Sequence, residues 1–80
     1  MIERIFGNFE GKVDPARDEM HIRGIRFGWK ATYSIDELPS KIAFYERLIR
    51  SVEKKGLSEN VHYSDTLKCL RWAQKVLADE

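Results

Sequence analysis

Hydrophobic and polar residues alternate along the first part of the chain with the period of a β-strand. Between residues 3 and 13 the mostly apolar set consists of Ile5, Gly7, Phe9, Gly11 and Val13. The intervening set consists of Arg4, Phe6, Asn8, Glu10 and Lys12. Because successive side chains of a strand point to opposite faces, this pattern predicts a half-buried strand over residues 3–13. It places Phe6 on the outer face, among polar residues.

A second alternating segment follows the sequence Asp14-Pro15-Ala16-Arg17-Asp18-Glu19, whose proline and aspartates predict a hairpin loop. The apolar set of this segment consists of Ile25, Phe27, Trp29, Ala31 and Tyr33. Upstream the alternation shifts, because Met20 and Ile22 are apolar at even positions. A β-bulge at Gly24 would return Ile22 to the core face and turn Arg23 outward. We therefore expect a bulged strand over residues 20–34.

The second half of the chain has a helical period. Its first apolar stripe consists of Leu38, Ile42, Tyr45, Ile49 and Val52, and its second of Leu67, Leu70, Ala73 and Leu77. The spacing of three and four residues predicts helices over residues 37–55 and 64–79. Gly56 follows the first stripe as a stop signal, and Ser64-Asp65 opens the second as a capping sequence.

The order of these elements predicts a single α+β domain over residues 1–80. In it a two-stranded antiparallel β-ribbon, hairpin 3–34, packs on an antiparallel pair of helices. An alternative is a ribbon-helix-helix-like dimer, in which residues 25–33 pair with the same segment of a second chain. A strand followed by two helices joined through Gly56-Leu57-Ser58 resembles ribbon-helix-helix regulators over half of the chain. Open ribbon edges favour a homodimer in either arrangement.

Composition narrows the class of protein. The 80 residues carry 14 lysines and arginines against 13 aspartates and glutamates, and 42% of them are hydrophobic, which is typical of a small globular domain. Cys69 is the only cysteine, so the chain has no intramolecular disulfide. The sequence lacks an apolar run long enough to span a membrane and a signal-peptide pattern at Met1, and we expect a cytoplasmic protein.

The sequence has no recognisable catalytic or metal-binding motif. His21 and His62 stand alone, without the spacing of metal ligands. Cys69 lies inside an amphipathic helix, where a free cysteine usually acts as a small buried apolar residue. Gly7, Gly11, Gly24 and Gly28 lie within the predicted strands rather than between a strand and a helix, so no phosphate-binding loop is predicted. We expect a non-enzymatic protein with no catalytic residue, no metal and no cofactor.

The outer face of the predicted ribbon is the one strongly charged feature. Together with Phe6, it carries Arg4, Lys12, Arg23, Arg26 and Lys30, against Glu10 alone. Such a face could dock on an acidic protein surface. We therefore expect a small regulator, inhibitor or adaptor that acts by protein–protein interaction through these six residues. The alternative is a nucleic-acid-binding module, in which the basic residues contact phosphates and Phe6 stacks on a base.

Overall fold

The structure, a computed structural model, describes residues 2–26, 28–54 and 61–79. In these ranges the chain forms four strands and two helices: β1 (Ile2–Phe6), β2 (Phe9–Asp14), β3 (Glu19–Gly24), β4 (Lys30–Ser34), α1 (Leu38–Lys54) and α2 (Val61–Ala78). The strands form one antiparallel sheet in the order β1-β2-β3-β4. The α+β class is confirmed, whereas the two-stranded ribbon is wrong, because each predicted strand is a hairpin of two shorter strands.

The first predicted strand is interrupted at Gly7 and Asn8, which form a two-residue turn between the paired residues Phe6 and Phe9. Gly7 has a φ of 60°, whereas Asn8 does not have a positive φ. A glycine with positive φ at the first central position is the signature of a type II′ hairpin turn. The chain reverses here, and β1 becomes an edge strand of the sheet.

The reversal inverts the predicted facing of β1. Residues paired across antiparallel strands share a face, so Phe6 lies on the same side as buried Phe9. The Phe6 ring packs on Trp72 of α2 with a centroid distance of 5.6 Å. Ile5, predicted to face the core, instead points away from the helices and is 63% exposed. The outer-face position predicted for Phe6 is therefore wrong.

The second predicted strand is also interrupted, but not by a bulge at Gly24. The Gly24 N–H donates to the Trp29 carbonyl at 2.8 Å and closes a hairpin loop between β3 and β4. Ile25 leaves the strand and is 40% exposed. Trp29 is 36% exposed, and its ring is perpendicular to the Phe9 ring at a centroid distance of 5.8 Å. The prediction that Ile25 and Trp29 are buried in the core is therefore wrong. The same prediction for Phe27 falls on a residue outside the described ranges.

Other parts of the predicted hairpin are confirmed. A short 3-10 turn, Pro15–Arg17, connects β2 to β3 at the predicted loop. Met20 and Ile22 are buried under the helices, while Arg23 points to the opposite face. Residues of β4 pair with β3 of the same chain, so the segment that the ribbon-helix-helix-like alternative pairs with a second copy is the last strand of a four-stranded sheet.

The helices cover one face of the sheet. α2 lies across β1, β2 and β3, and α1 packs mainly against α2. The predicted helix 37–55 matches α1 closely, whereas α2 begins three residues before the predicted 64–79. The Gly56-Leu57-Ser58 turn lies outside the described residues. The buried apolar residues of the two helices are Leu38, Ile42, Leu67, Cys69, Leu70, Ala73 and Leu77.

Gly11 in β2 allows α2 to approach the sheet closely. A Cβ atom at this position would lie 2.5 Å from the Cys69 Sγ and 3.0 Å from the Trp72 ring. Both distances are shorter than ordinary van der Waals contact. The side chains of α2 therefore occupy the space that any larger residue in the middle of β2 would need.

Candidate functional site

The face of the sheet that points away from the helices is the one open surface of the described sheet. The pairing register places seven charged side chains on this outer face: the carboxylates Glu3, Glu10, Asp14 and Glu19, and the cations Lys12, Arg23 and Lys30. Four carboxylates against three cations do not form a basic surface. The strongly positive outer face predicted from the sequence is therefore wrong when the whole face is considered.

Two of the predicted basic residues lie elsewhere. Arg4 is on the helix-facing side of β1, with its guanidinium 5.1 Å from the centre of the Phe6 ring. Arg26 is exposed in the loop between β3 and β4. Because Phe6 packs against Trp72, its ring is not available on the outer face to stack on a base. Of the six predicted binding residues, the outer face brings together Lys12, Arg23 and Lys30.

These three cations surround a shallow depression of about 630 Å³ on the outer face. The other residues that line it are Glu10, His21, Ile22, Ala31 and Thr32. Among the residues that line this outer depression, three permanent cations accompany a single carboxylate, while Glu3 and Glu19 each lie 3.4 Å from a lining residue, Lys12 and His21 respectively. The remaining carboxylates of the face lie outside the lining.

Glu10 holds two of the cations in place. Its carboxylate accepts a hydrogen bond from the Arg23 Nε at 2.9 Å, and the Lys12 Nζ lies 3.9 Å away. The Arg23 hydrogen bond is the main reason that the pKa of Glu10 lies below its ordinary value. Lys12 also pairs with Glu3 at 3.4 Å. No carboxylate of the described residues forms an ion pair with Lys30, whose ammonium is therefore available to a ligand.

His21 also lines the outer depression, beside Lys12 on the adjacent strand. Its Nδ1 lies 2.8 Å from the Thr32 hydroxyl on β4, and its Nε2 lies 3.4 Å from the Glu19 carboxylate. The two contacts fix the orientation of a ring that is otherwise half exposed. A protonated ring would add a fourth positive charge to the outer depression.

The described residues show no second site with evident chemistry. Cys69 is fully buried, and its burial raises the pKa of the thiol to about 12, so the sulfur is neutral at pH 7 and inaccessible. Among the described side chains, His, Cys, Asp and Glu do not cluster in groups of three that could hold a metal ion. Within the same part of the chain, neither helix combines the length and apolar character of a membrane span.

Comparisons with protein-family models, with curated proteins and with solved structures find no match for this chain. The sequence contains one unused signal that bears on the site: Gly7-Asn8 is a two-residue hairpin sequence flanked by Phe6 and Phe9. Reading it as a turn would have moved Arg4 and Phe6 to the helix-facing side.

The Arg23→Ala variant tests the charge arrangement around Glu10. Without the Arg23 hydrogen bond, the pKa of the Glu10 carboxyl should rise toward its ordinary value of 4.5. In the native protein this lowered pKa favours the folded state above the ordinary value, and the contribution is lost as the pH falls through the folded pKa. A carboxyl-carbon NMR titration measures the shift directly. An unchanged Glu10 titration in the variant would contradict the pairing.

Proposed function

We propose that this chain is a small non-enzymatic binding protein whose outer depression receives an acidic segment of a partner protein. The observation that carries the proposal is the concentration of Lys12, Arg23 and Lys30 around one concave surface with a single carboxylate among them. Lys30 contacts the acidic segment first, because its ammonium forms no ion pair with a carboxylate of the described residues. Lys12 and Arg23 can share their donors between Glu10 and the incoming carboxylates.

Preorganisation supports this assignment. The Glu10 carboxylate holds Arg23 at 2.9 Å, and Thr32 and Glu19 hold the His21 ring from both nitrogens. Side chains that are already ordered lose less conformational entropy on binding than free ones. All of these residues project from paired strands rather than from loops, which fixes their mutual distances.

The size of the outer face limits the kind of partner. Four strands spaced by about 4.8 Å, with about five residues each, cover only about 300 Å². Stable protein–protein interfaces usually bury about 800 Å² per partner. A single outer depression therefore suits a short acidic segment bound with modest affinity, in a regulatory or adaptor role, more than it suits a large rigid surface.

A nucleic-acid partner is the weaker alternative. Sequence-tolerant binding of single strands relies on aromatic rings on which bases stack. The outer-face positions of the described strands carry no aromatic residue, since Phe6 points to the helices. Phosphate contacts alone from three cations would give weak, strongly salt-dependent binding. The binding experiment therefore also measures the affinity for single-stranded nucleic acid, as a competing partner.

The experiment replaces Lys12, Arg23 and Lys30 together by alanine and measures binding of a fluorescent polyglutamate peptide by anisotropy at low salt. Exposed ion pairs contribute about 0.2–1 kcal/mol each, so affinity should fall about 3- to 150-fold. The variant should remain folded, because exposed substitutions usually cost about 0.5 kcal/mol or less.

A matched variant, Arg47, Lys68 and Lys75 to alanine, removes the same charge from exposed positions of the helices. It should retain the affinity of the native protein. Equal losses in the two triple variants would show that net charge alone controls binding, and would overturn the assignment of the outer depression. Tighter binding of single-stranded RNA or DNA than of the acidic peptide would favour the nucleic-acid alternative.

A further inference from the structure

We infer that β4 is the dimerisation edge of this protein, where two copies pair antiparallel and join their sheets into one of eight strands. β4 is the last strand of the sheet, so one of its edges is unpaired within the described chain. Two independent features point to a second copy as its occupant. One is the self-complementary register of β4, and the other is an apolar row on the adjoining flank of α1.

The backbone of β4 presents free hydrogen-bonding groups at alternate residues. Trp29 and Ile35 bond to β3 through the Gly24 and Asp18 backbones, at 2.8 Å each. In an antiparallel pair of strands, the backbone groups of successive residues point alternately toward and away from the neighbouring strand. The backbone groups of Ala31 and Tyr33 therefore also point to β3. The backbone N–H and C=O groups of Lys30, Thr32 and Ser34 therefore point away from β3, toward the open edge of the sheet. The Ser34 carbonyl already accepts the Glu37 N–H at 3.1 Å.

A two-fold axis at Thr32 matches these groups. Thr32 would lie opposite Thr32 of the second copy and exchange two hydrogen bonds with it. Lys30 would lie opposite Ser34 of the second copy, and each Ser34 N–H would donate to a Lys30 carbonyl. Pairs of threonine are favourable across strands, and this register brings no like charges directly opposite one another.

The opposite edge of the sheet does not offer an equivalent register. In the tight turn, the backbone N–H and C=O groups of Phe6 point toward β2. By alternation, the backbone groups of Glu3 and Ile5 point to the open edge of the sheet. Placing Glu3 opposite Ile5 of a second copy brings the two Arg4 side chains face to face, which is destabilising. A register centred on Ile5 runs into the Gly7-Asn8 turn. Arg4 thus disfavours self-pairing of β1, whereas the register centred on Thr32 brings no like charges of β4 opposite one another.

The second feature is a row of apolar residues on α1. Phe44, Leu48 and Val52 are spaced by four residues and lie on one flank of the helix, and Phe44 is 46% exposed. The flank that adjoins α2 is a different one, where Ile49 lines a groove together with Leu67. At about 100° per residue, Phe44 lies about 140° around α1 from Ile49, Leu48 about 100° and Val52 about 60°, so the row is turned away from that groove most fully at Phe44.

The apolar row begins next to β4. Lys41 precedes Phe44 by one helical turn on the same side of α1, and its ammonium lies 5.5 Å from the centre of the Tyr33 ring on β4. Pairing through β4 would therefore bring the Phe44 rows of two α1 helices toward the same two-fold axis. On the outer face, pairing would place the two outer depressions side by side in one continuous surface.

Sedimentation equilibrium of the full chain, from micromolar to millimolar concentration, tests this inference. We expect the mass to rise from 9.4 kDa toward twice that value. Thr32→Pro removes the N–H that pairs across the axis but none that pairs with β3, so the variant should stay folded by circular dichroism and remain monomeric. Thr32→Val keeps the backbone donor and loses only the hydroxyl, so it should still dimerise.

The helix flank has its own matched pair of variants. Phe44→Glu should weaken dimerisation at least tenfold, because it places two buried carboxylates near the axis, whereas Ala43→Glu adds the same charge at an exposed position off the row and should not. A native protein that stays monomeric at all concentrations would overturn the inference. So would a dimer that persists in both Thr32→Pro and Phe44→Glu. These readouts do not depend on whether the outer depression binds acidic peptides.

Discussion

Leu70→Ala should destabilise the protein by about 2–5 kcal/mol, the range for a fully buried leucine. Leu70 lies on α2 with no exposed surface, within the cluster where both helices and the sheet contribute side chains. Small domains have a free energy of unfolding of about 0.05–0.15 kcal/mol per residue, so this single change removes a large share of the total. Urea denaturation followed by circular dichroism measures it.

Ile5→Ala is the matched control for Leu70→Ala. Ile5 belongs to the same class of aliphatic residue, but it is 63% exposed on the outer face. The change should lower the free energy of unfolding by about 0.5 kcal/mol or less. A loss at Ile5 as large as that at Leu70 would mean that β1 faces the helices with Ile5, as the uninterrupted alternation predicts, and not with Phe6.

Gly11→Ala should also destabilise the protein, by about 1–3 kcal/mol, through overpacking rather than through a cavity. The added Cβ would lie 2.5 Å from the Cys69 Sγ and 3.0 Å from the Trp72 ring, so these side chains, or α2 with them, must shift away from β2. Gly28→Ala is the matched control, because a Cβ there meets nothing within 4 Å. Thermal unfolding of the two variants compares them directly.

A second substitution can separate overpacking from loss of glycine flexibility. Cys69→Ala removes the sulfur that the new Cβ would meet, and the double variant Gly11→Ala, Cys69→Ala should lose less stability than the two single variants added together. Strict additivity would show that the helix does not approach β2 at this point, and the packing described for α2 would then be incorrect.

The sequence predicts the helices well because their signal is local. Leu38 and Ile42 in α1, and Leu70 and Leu77 in α2, recur at helical spacing and are buried as predicted. The strands are harder to predict, because the pattern must also show whether odd-numbered or even-numbered residues face the core. Once a chain reverses through a loop with an even number of residues, odd and even positions exchange faces.

That exchange explains both errors in the sheet. Phe6 pairs with Phe9 across a two-residue turn, so inward residues are even in β1 and odd in β2. The core-facing positions change from even numbers at Ile22 to odd numbers at Ala31 for the same reason, since these two residues pair across the hairpin between β3 and β4. A bulge and a hairpin produce the same change of phase in the sequence, and alternation alone cannot distinguish them.

The candidate site inherits these limits. The facing of Lys12 and Lys30 follows from alternation within single strands, and it is correct. Arg23 also faces outward as predicted, but the cause is the hairpin between β3 and β4 and not the predicted bulge at Gly24. The placing of Arg4 and Phe6 required the turn at Gly7, and that of Arg26 required the loop before β4. The acids that balance the outer face, Glu3 and Glu19, become visible only when the pairing register is known.

The most direct test of the proposed function is a residue-resolved NMR titration of the isotope-labelled protein with a polyglutamate peptide at low salt. We expect chemical-shift changes concentrated at residues that line the outer depression: Lys12, His21, Arg23, Lys30 and Thr32. These changes should disappear when added salt shortens the range of the electrostatic attraction. Changes spread evenly over exposed lysines and arginines of both layers, or confined to the helices, would contradict the proposed function.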